Sequence, residues 1–437
     1  MGKEKKLRIA IHILTALYGA ACLWLFYRQS IADLTVAGEI PYQSDLPLHI
    51  SMIIEDGWYY SFTAYAYRLL YAVCGGSTLG IAAFLAAVCV GTVYAAEALV
   101  CRLGEYREKS WGTLLLSLSL NFVMPIYIRA VGEFRYVSYQ SGNIWHNSTY
   151  LCMRLAALLT FLYYLRLEEK YRQGITWKEW CAFALLNILC TGIKPSFLVA
   201  FSPIMGIFLL ADLIRRTPLR RVLVFGSALL PSGLVLLWQN AVLFGEETGN
   251  GIAFRPWYIF SLHAAITKLA VICSALFCIL TVIVTLGQLR RDRRYLFIVL
   301  MAALGFLEAL CLVEEGSRAV DGNFLWGYSF CLFVLFAACA VKCLGLGRAG
   351  ATLSRMKREG LSGSGEERAE NALKLEGTGQ EGSLKPDEAE SGSDSDSGGI
   401  RLRKILRLGL GLVYGWHLYC GLYYFVRLVG GASFWMR

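Results

Sequence analysis

The sequence predicts an all-α fold, a polytopic helical membrane protein with about 11 transmembrane helices. The chain has 437 residues, of which 56% are hydrophobic and 17% charged, and its mean hydropathy is +0.50. Soluble domains have about 45–50% apolar and about 25% charged residues. The apolar residues fall in blocks of about 20, the length that crosses a bilayer as a helix. These observations predict a lipid bilayer as partner. They exclude a soluble enzyme, a disulfide scaffold and a nucleic-acid-binding protein.

The first predicted helix covers about residues 7–26, after a basic start at Lys3, Lys5, Lys6 and Arg8. Its apolar core continues without a small-residue cleavage site, which indicates a signal anchor rather than a signal peptide. Apolar runs between charged breaks predict the later helices at about 77–100, 111–128, 149–165, 178–193, 196–213, 222–244, 262–288, 295–313, 324–343 and 405–427.

Charge sidedness predicts a cytoplasmic N-terminus. Alternate loops collect basic clusters at 102–109, 166–178, 215–221 and 290–294, and most of the 42 Lys and Arg residues fall on that side. Cytoplasmic loops of membrane proteins carry this excess of positive charge. We therefore expect an integral, multi-pass protein of the plasma (inner) membrane.

The sequence divides into three predicted regions. Residues 1–345 form a transmembrane domain, and 404–437 form the final transmembrane helix with a short outer tail. Between them, 346–403 is rich in Ser, Gly and acidic residues. Such a stretch buries too little apolar surface to offset its ordering entropy, so we expect a disordered cytoplasmic linker.

The long first outer segment, about 27–76, is rich in Tyr and Trp, including Trp58, which favours helices lying in the membrane interface. Asp45 and His49 are four residues apart and share a face if a helix begins near Asp45. Two roles remain open for Asp45. It is either the N-cap of that helix, with Pro47 in the first turn, or a catalytic acid.

The second outer loop carries the next group of candidate binding residues. Arg154 follows it inside the next helix, where the side chain either snorkels to the interface or binds a phosphate beside His146 and Asn147. The loop candidates are Arg129, Glu133, Arg135, Trp145, His146 and Asn147.

Two further predicted outer loops place charged residues between apolar stretches. Lys194-Pro195-Ser196 forms either a tight outer hairpin or an anion site, because a lysine beside a helix break must find water or an anion. The loop 314–323 indicates a substrate surface, with ordinary loop solvation as the alternative. Its candidates are Glu314, Glu315, Arg318, Asp321 and Asn323.

This layout resembles the GT-C superfamily of integral-membrane glycosyltransferases over about residues 1–345. The shared features are a cytoplasmic N-terminus, many helices, and a long first outer loop with an aspartate and interfacial helices. The resemblance implies transfer of sugar from a polyprenyl-phosphate-linked donor, on the non-cytoplasmic face, to a cell-surface glycan or lipid acceptor. It leaves a divalent cation as the one cofactor to consider.

In that superfamily an acidic residue of the first outer loop serves as catalytic base or metal ligand. The matching position is Asp45, in Ser44-Asp45-Leu46-Pro47-Leu48-His49, and no second acid adjoins it. Asp56 is therefore an alternative counterpart. The main competing function is a non-enzymatic transporter or flippase of a lipid-linked glycan, whose outer charges would bind without reacting. A glycan polymerase fits less well, because the late outer loops are short.

Overall fold

The computed structural model describes residues 2–34, 40–244, 251–358 and 393–437. Over these residues the regular secondary structure is helical apart from one pair of short strands. The helices are α1 (Lys3–Ser30), α2 (Leu46–Ile54), α3 (Phe62–Val73), α4 (Leu79–Leu103), α5 (Trp111–Leu120), α6 (Ser148–Glu168), α7 (Trp177–Ile193), α8 (Ser196–Ile214), α9 (Leu219–Ser227), α10 (Leu230–Phe244), α11 (Tyr258–Ser261), α12 (Thr267–Val284), α13 (Leu286–Leu289), α14 (Arg293–Cys311), α15 (Leu325–Arg358) and α16 (Ser393–Val429). The strands are β1 (Ile252–Phe254) and β2 (Leu312–Glu314), and a 3₁₀ turn covers Gly316–Val320.

Eight helices of the described part are long and apolar enough to cross a membrane. They cover Lys3–Ser30, Leu79–Leu103, Ser148–Glu168, Ser196–Ile214, Leu219–Leu243, Thr267–Val284, Arg293–Cys311 and Arg318–Leu346. This confirms a helical, multi-pass membrane protein at the coarse level. The number of crossings and their orientation stay predictions.

The long helices run between two ends of the bundle. One end, here called the ion-pair end, joins neighbouring helices through charged pairs such as Arg8 with Glu97 and Lys342 with Asp292. The other, the cavity end, holds the loops around Asp45 and Lys194. α6 begins beside Asn147 at the cavity end and reaches Glu168 at the ion-pair end. α15 packs among its neighbours as the most buried candidate span.

The helix predicted at 111–128 is wrong in its second half. α5 ends at Leu120, and its ten residues extend about 15 Å, too short to cross a bilayer. Residues 121–147 then form turns and irregular backbone, and 138–147 are buried throughout. Pro125 explains the break, because proline lacks the N–H that a helix interior needs.

Polar side chains satisfy the backbone of this irregular segment. The Asn143 amide donates to the carbonyls of Leu120 (2.7 Å) and Val123 (2.8 Å), and the His417 ring contacts the Met124 carbonyl at 2.7 Å. Gly421 permits close approach of α16, since an added Cβ would lie 1.3 Å from the Phe122 oxygen. Non-helical backbone at membrane depth is tolerated when protein groups satisfy it in this way.

Both ends of the predicted linker 346–403 are helical in the structure. α15 continues to Arg358 and α16 begins at Ser393. The remainder of that predicted linker, 359–392, lies outside the described residues.

Candidate functional site

A cavity of about 790 Å³ opens at the cavity end. Its wall is built from α2 and α3, the end of the irregular segment, the turn between α7 and α8, and the loop after β2. Ten of the residues predicted from sequence line it: Asp45, His49, Trp58, His146, Asn147, Lys194, Glu314, Arg318, Asp321 and Asn323. Loops separated by up to 278 positions along the chain therefore meet around one space.

Asp45 precedes α2 as predicted, with Pro47 in the first turn, but its side chain makes no capping hydrogen bond. Ser44 supplies an oxygen to the Leu46 N–H at 3.2 Å instead. The carboxylate of Asp45 accepts from the Asn147 amide at 3.0 Å and lies 3.9 Å from Nε2 of His146. Capping is thus excluded as the role of this side chain, and its carboxylate faces the cavity with 32% of the side chain exposed.

Two histidines flank that carboxylate in neutral form. His146 is buried, and its ring stacks on Phe434 with centroids 4.2 Å apart and planes 10° apart. Burial lowers the pKa of His146, and it lowers the pKa of His49 to about 4, in both cases against the opposing attraction of Asp45. His49 also contacts the Ser148 hydroxyl through Nδ1 at 3.1 Å. Neutral imidazoles add no positive charge beside the Asp45 side chain at neutral pH.

Lys194 lies in the turn between α7 and α8, and its side chain reaches into the cavity. Its ammonium donates to the Thr149 hydroxyl at 3.4 Å and lies 4.8 Å from the ring centre of Trp326. Burial lowers the pKa of Lys194 to about 8, against the opposing effect of Asp45. An ammonium held by a hydroxyl and an aromatic face retains donors for an anion.

The loop after β2 supplies a connected polar group to the same cavity. The antiparallel pairing of β1 with β2 holds its start, with Ala253 opposite Val313. Glu314 accepts from Arg318 at 2.7 Å and from Asn323 at 2.9 Å. Asn323 in turn accepts from the Trp326 indole at 3.2 Å. These bonds fix the guanidinium, the carboxylate and the indole relative to each other.

Arg154, predicted as a substrate-binding residue, does not line the cavity. Its side chain is 1% exposed and donates to the Gly142 carbonyl (3.0 Å) and the Asn143 side chain (2.6 Å). Arg154 therefore holds the irregular segment rather than a ligand. Trp145 also lies outside the cavity lining, and it is 1% exposed with its indole donating to the Tyr18 hydroxyl at 3.3 Å.

Asp56 and Glu315 lie outside the cavity wall. Asp56 is exposed beyond the far end of α2, about 15 Å of helix from Asp45. The side chain of Glu315 points toward Gly251. Neither carboxylate lies where a ligand in the cavity would meet it.

Arg129 and Glu133 line a second cleft of about 430 Å³, rather than the first cavity. Arg135 lines neither, and its guanidinium lies 4.2 Å from the ring centre of Tyr127 and 4.5 Å from that of Tyr423. The sequence groups these three residues with His146, but the structure separates them from it.

Several cavity residues had no signal in the sequence reasoning. Phe434 and Trp435 enter from the segment after α16, and Gln140 and Gln239 supply buried amides. The Gln239 amide donates to the carbonyls of Tyr60 and Gly192, at 3.0 and 3.1 Å.

The side chains around the cavity offer few ligands for the divalent cation that the family resemblance would imply. Within the described residues, no group of three or more His, Cys, Asp or Glu side chains is placed to hold a metal ion. Around Asp45 the neighbours are an amide and two imidazoles, and the carboxylate of Glu314 is engaged by Arg318 and Asn323. This arrangement does not fit a metal centre.

Comparison with protein-family models and with curated proteins finds no match for this chain. Any functional conclusion therefore depends on the chemistry of the cavity itself.

Proposed function

We propose that the protein is a membrane glycosyltransferase that uses a polyprenyl-phosphate-linked sugar donor to modify a cell-surface glycan or lipid. The observation that supports it is the meeting of Asp45, Lys194 and Arg318 around one cavity of about 790 Å³. A carboxylate and two cations are the groups needed to activate a hydroxyl and to stabilise a leaving phosphate.

In this proposal the cavity end faces the non-cytoplasmic side of the plasma membrane. Support comes from the basic residues gathered at the ion-pair end, in keeping with the excess of Lys and Arg on cytoplasmic faces. They include Arg8, Arg102, Arg172, Arg293, Arg294 and Lys342. The N-terminus, which precedes Arg8, is then cytoplasmic.

The reaction follows from the placement of the three charges. A hydroxyl oxygen of the acceptor attacks the anomeric carbon of the donor, and Asp45 takes the hydroxyl proton. The bond from the anomeric carbon to the phosphate oxygen breaks, and its electron pair leaves with the polyprenyl phosphate. Lys194 and Arg318 stabilise the negative charge that develops on that phosphate. Trp58 and Trp326 offer flat faces for sugar rings.

The hydrocarbon part of the donor has an apolar route to the cavity. α10 exposes Leu230, Leu234 and Leu237, each by more than 60%, and its last turns supply Gln239 and Leu243 to the cavity wall. An exposed apolar face of this kind suits contact with lipid chains. A polyprenyl chain along α10 would place its phosphate toward the cavity.

The lining of the cavity favours an enzyme over the transporter or flippase. All described lining residues belong to the cavity end, whereas helices at the opposite end are joined by ion pairs. A transport pathway requires access from both faces in turn. A reaction site needs access from one.

The test is sugar transfer from a panel of radiolabelled polyprenyl-phosphate sugars by purified protein in lipid. Asp45→Asn should lower the transfer rate about 10²- to 10⁴-fold, the usual contribution of a general base. Donor binding should persist, because Lys194 and Arg318 remain. Asp56→Asn is the matched control and should transfer at the wild-type rate, since that carboxylate is exposed outside the cavity.

Two results would overturn the proposal. Loss of transfer in Asp56→Asn with full activity in Asp45→Asn would show that the wrong acid had been chosen. Absence of transfer from every donor, with lipid-linked glycan still bound, would favour the flippase.

A further inference from the structure

The second cleft lies beside the first cavity and shares two residues with it. Its lining residues are Arg129, Glu133, Ser261, Leu262, His263, Ala264, Ala265 and Arg437. His263 and Leu262 line both spaces, so the two are separated by little more than one layer of side chains.

Main-chain hydrogen bonds fix the walls of the cleft. Gly132 and Ala264 form an antiparallel bridge, and the Ile266 N–H donates to the Val131 carbonyl at 3.1 Å. The Ser138 hydroxyl donates to the carbonyl of His263 at 2.6 Å. The two loops that face each other across the cleft are therefore held together before any ligand binds, which lowers the entropic cost of binding.

The cleft carries excess positive charge. Glu133 pairs with Arg437 at 2.7 Å, and Arg129 adds a further exposed guanidinium. The Glu133–Arg437 pair is largely exposed, at 50% and 74%, so it contributes little stability and can exchange for a ligand carboxylate. Arg135 donates to the main-chain oxygen of Arg437 at 3.1 Å, which holds that part of the chain in place.

A continuous row of rings leads from the cleft to Asp45. The His263 ring lies 5.3 Å from Trp435, Trp435 lies 5.0 Å from Phe434, and Phe434 stacks on His146 at 4.2 Å. His146 is 3.9 Å from the Asp45 carboxylate. Phe434 and His146 cover each other's faces and form part of the cavity wall, while Trp435 lies between them and the cleft.

We propose that the second cleft is the acceptor site and that it binds an acidic residue of an oligosaccharide. Resting on the proposed glycosyl transfer, this inference names the acceptor class: a glycan bearing a carboxylate, whose acidic sugar sits against Arg129 and Arg437. The following sugars extend past His263 and Trp435, over the side chains that the cleft and the cavity share. The hydroxyl to be glycosylated then reaches Asp45.

Direct binding tests this without any donor. The probes are an oligomer of uronic acid sugars and its carboxyl-reduced form of equal length, added to purified protein in zwitterionic lipid nanodiscs. The acidic oligomer should bind more tightly than the reduced one. Arg129→Gln should raise its Kd about tenfold, the effect of losing a charge-assisted hydrogen bond, and Arg129→Lys should restore part of the affinity.

Arg255→Gln is the matched control, because Arg255 is exposed, lines neither space and sits near Tyr258 at the same end. Equal binding of the two oligomers, or equal effects of Arg129→Gln and Arg255→Gln, would overturn the inference. Displacement of the oligomer by anionic lipid would also overturn it, since the cleft would then be a headgroup site.

In a transfer assay, Arg129→Gln should raise KM for the acidic acceptor and leave kcat and donor binding unchanged. The proposed glycosyl transfer would fail by a different result, namely no transfer from any donor. That result would leave the binding of the two oligomers, measured without donor, unchanged.

Discussion

The two ends of the bundle use charge in opposite ways. At the ion-pair end, the buried carboxylate of Asp212 accepts from Arg172 at 2.7 Å, from Arg293 at 2.6 Å and from the Tyr171 hydroxyl. At the cavity end, the carboxylate of Asp45 is held by an amide and lies 3.9 Å from a neutral imidazole. One acid is fully enclosed by cations, whereas the other keeps an exposed oxygen toward a cavity.

This difference distinguishes charges that stabilise the fold from charges that can bind a ligand. A buried carboxylate with two arginines has its desolvation offset by those partners, so it joins α8 to α14 and to the residues after α6. A carboxylate with weaker partners can exchange them for a ligand. The comparison therefore predicts loss of stability from changes at one end and loss of ligand binding or turnover at the other.

The largest effect is expected from Asp212→Asn. The substitution keeps the shape but removes the charge, which leaves two guanidinium groups facing a neutral amide. Breaking a buried ion pair from one side costs about 3–5 kcal/mol. We expect a lower thermal unfolding midpoint in detergent, with donor affinity of the remaining folded protein unchanged. A stable Asp212→Asn protein that had lost donor binding would reverse the assignment of the two ends.

The next effect is a pH dependence at the cavity end. Because the pKa of Lys194 is about 8, its ammonium is charged below that pH and neutral above it. The Kd for a short-chain polyprenyl phosphate should rise less than about twofold between pH 7 and 8. It should then rise about fivefold between pH 8 and 9, because the charged fraction of Lys194 falls from about one half to about one tenth.

Lys194→Arg is the matched variant for this measurement, since arginine stays protonated throughout that range. Its affinity should lose the inflection near pH 8. The same inflection in the arginine variant would place the titrating group elsewhere and would remove Lys194 from the phosphate site.

Helix positions were predictable where an apolar run ends at a charge or a turn. The run predicted at 178–193 is α7, Trp177–Ile193, and the run at 196–213 is α8, Ser196–Ile214. The length of an apolar run is local information, so one sequence is enough to find it. The run at 111–128 failed because the residues around Pro125 are apolar without being helical.

Which residues line the cavity was predictable only in part, because the lining depends on how distant segments of the chain pack together. Asp45 and Lys194 were found through the cost of polar groups near membrane depth. Arg154 carries the same signal, yet its helix face points to the irregular segment and not to the cavity. Phe434 lies 288 positions from His146 in the chain, and no local sequence pattern predicts that their rings stack.

The smallest effect is expected from an exposed ion pair at the ion-pair end. It tests whether the stability of that end comes from the burial of its ion pairs or from their number. Arg102 pairs with Glu169, and their side chains are 35% and 38% exposed. Arg102→Gln should therefore cost at most about 1 kcal/mol, as solvent-exposed pairs do. Arg294 also pairs with Glu169, so the carboxylate keeps a cation after the substitution. The thermal midpoint should shift far less than in Asp212→Asn. Equal shifts would mean that the number of ion pairs, rather than the enclosure of Asp212, stabilises this end.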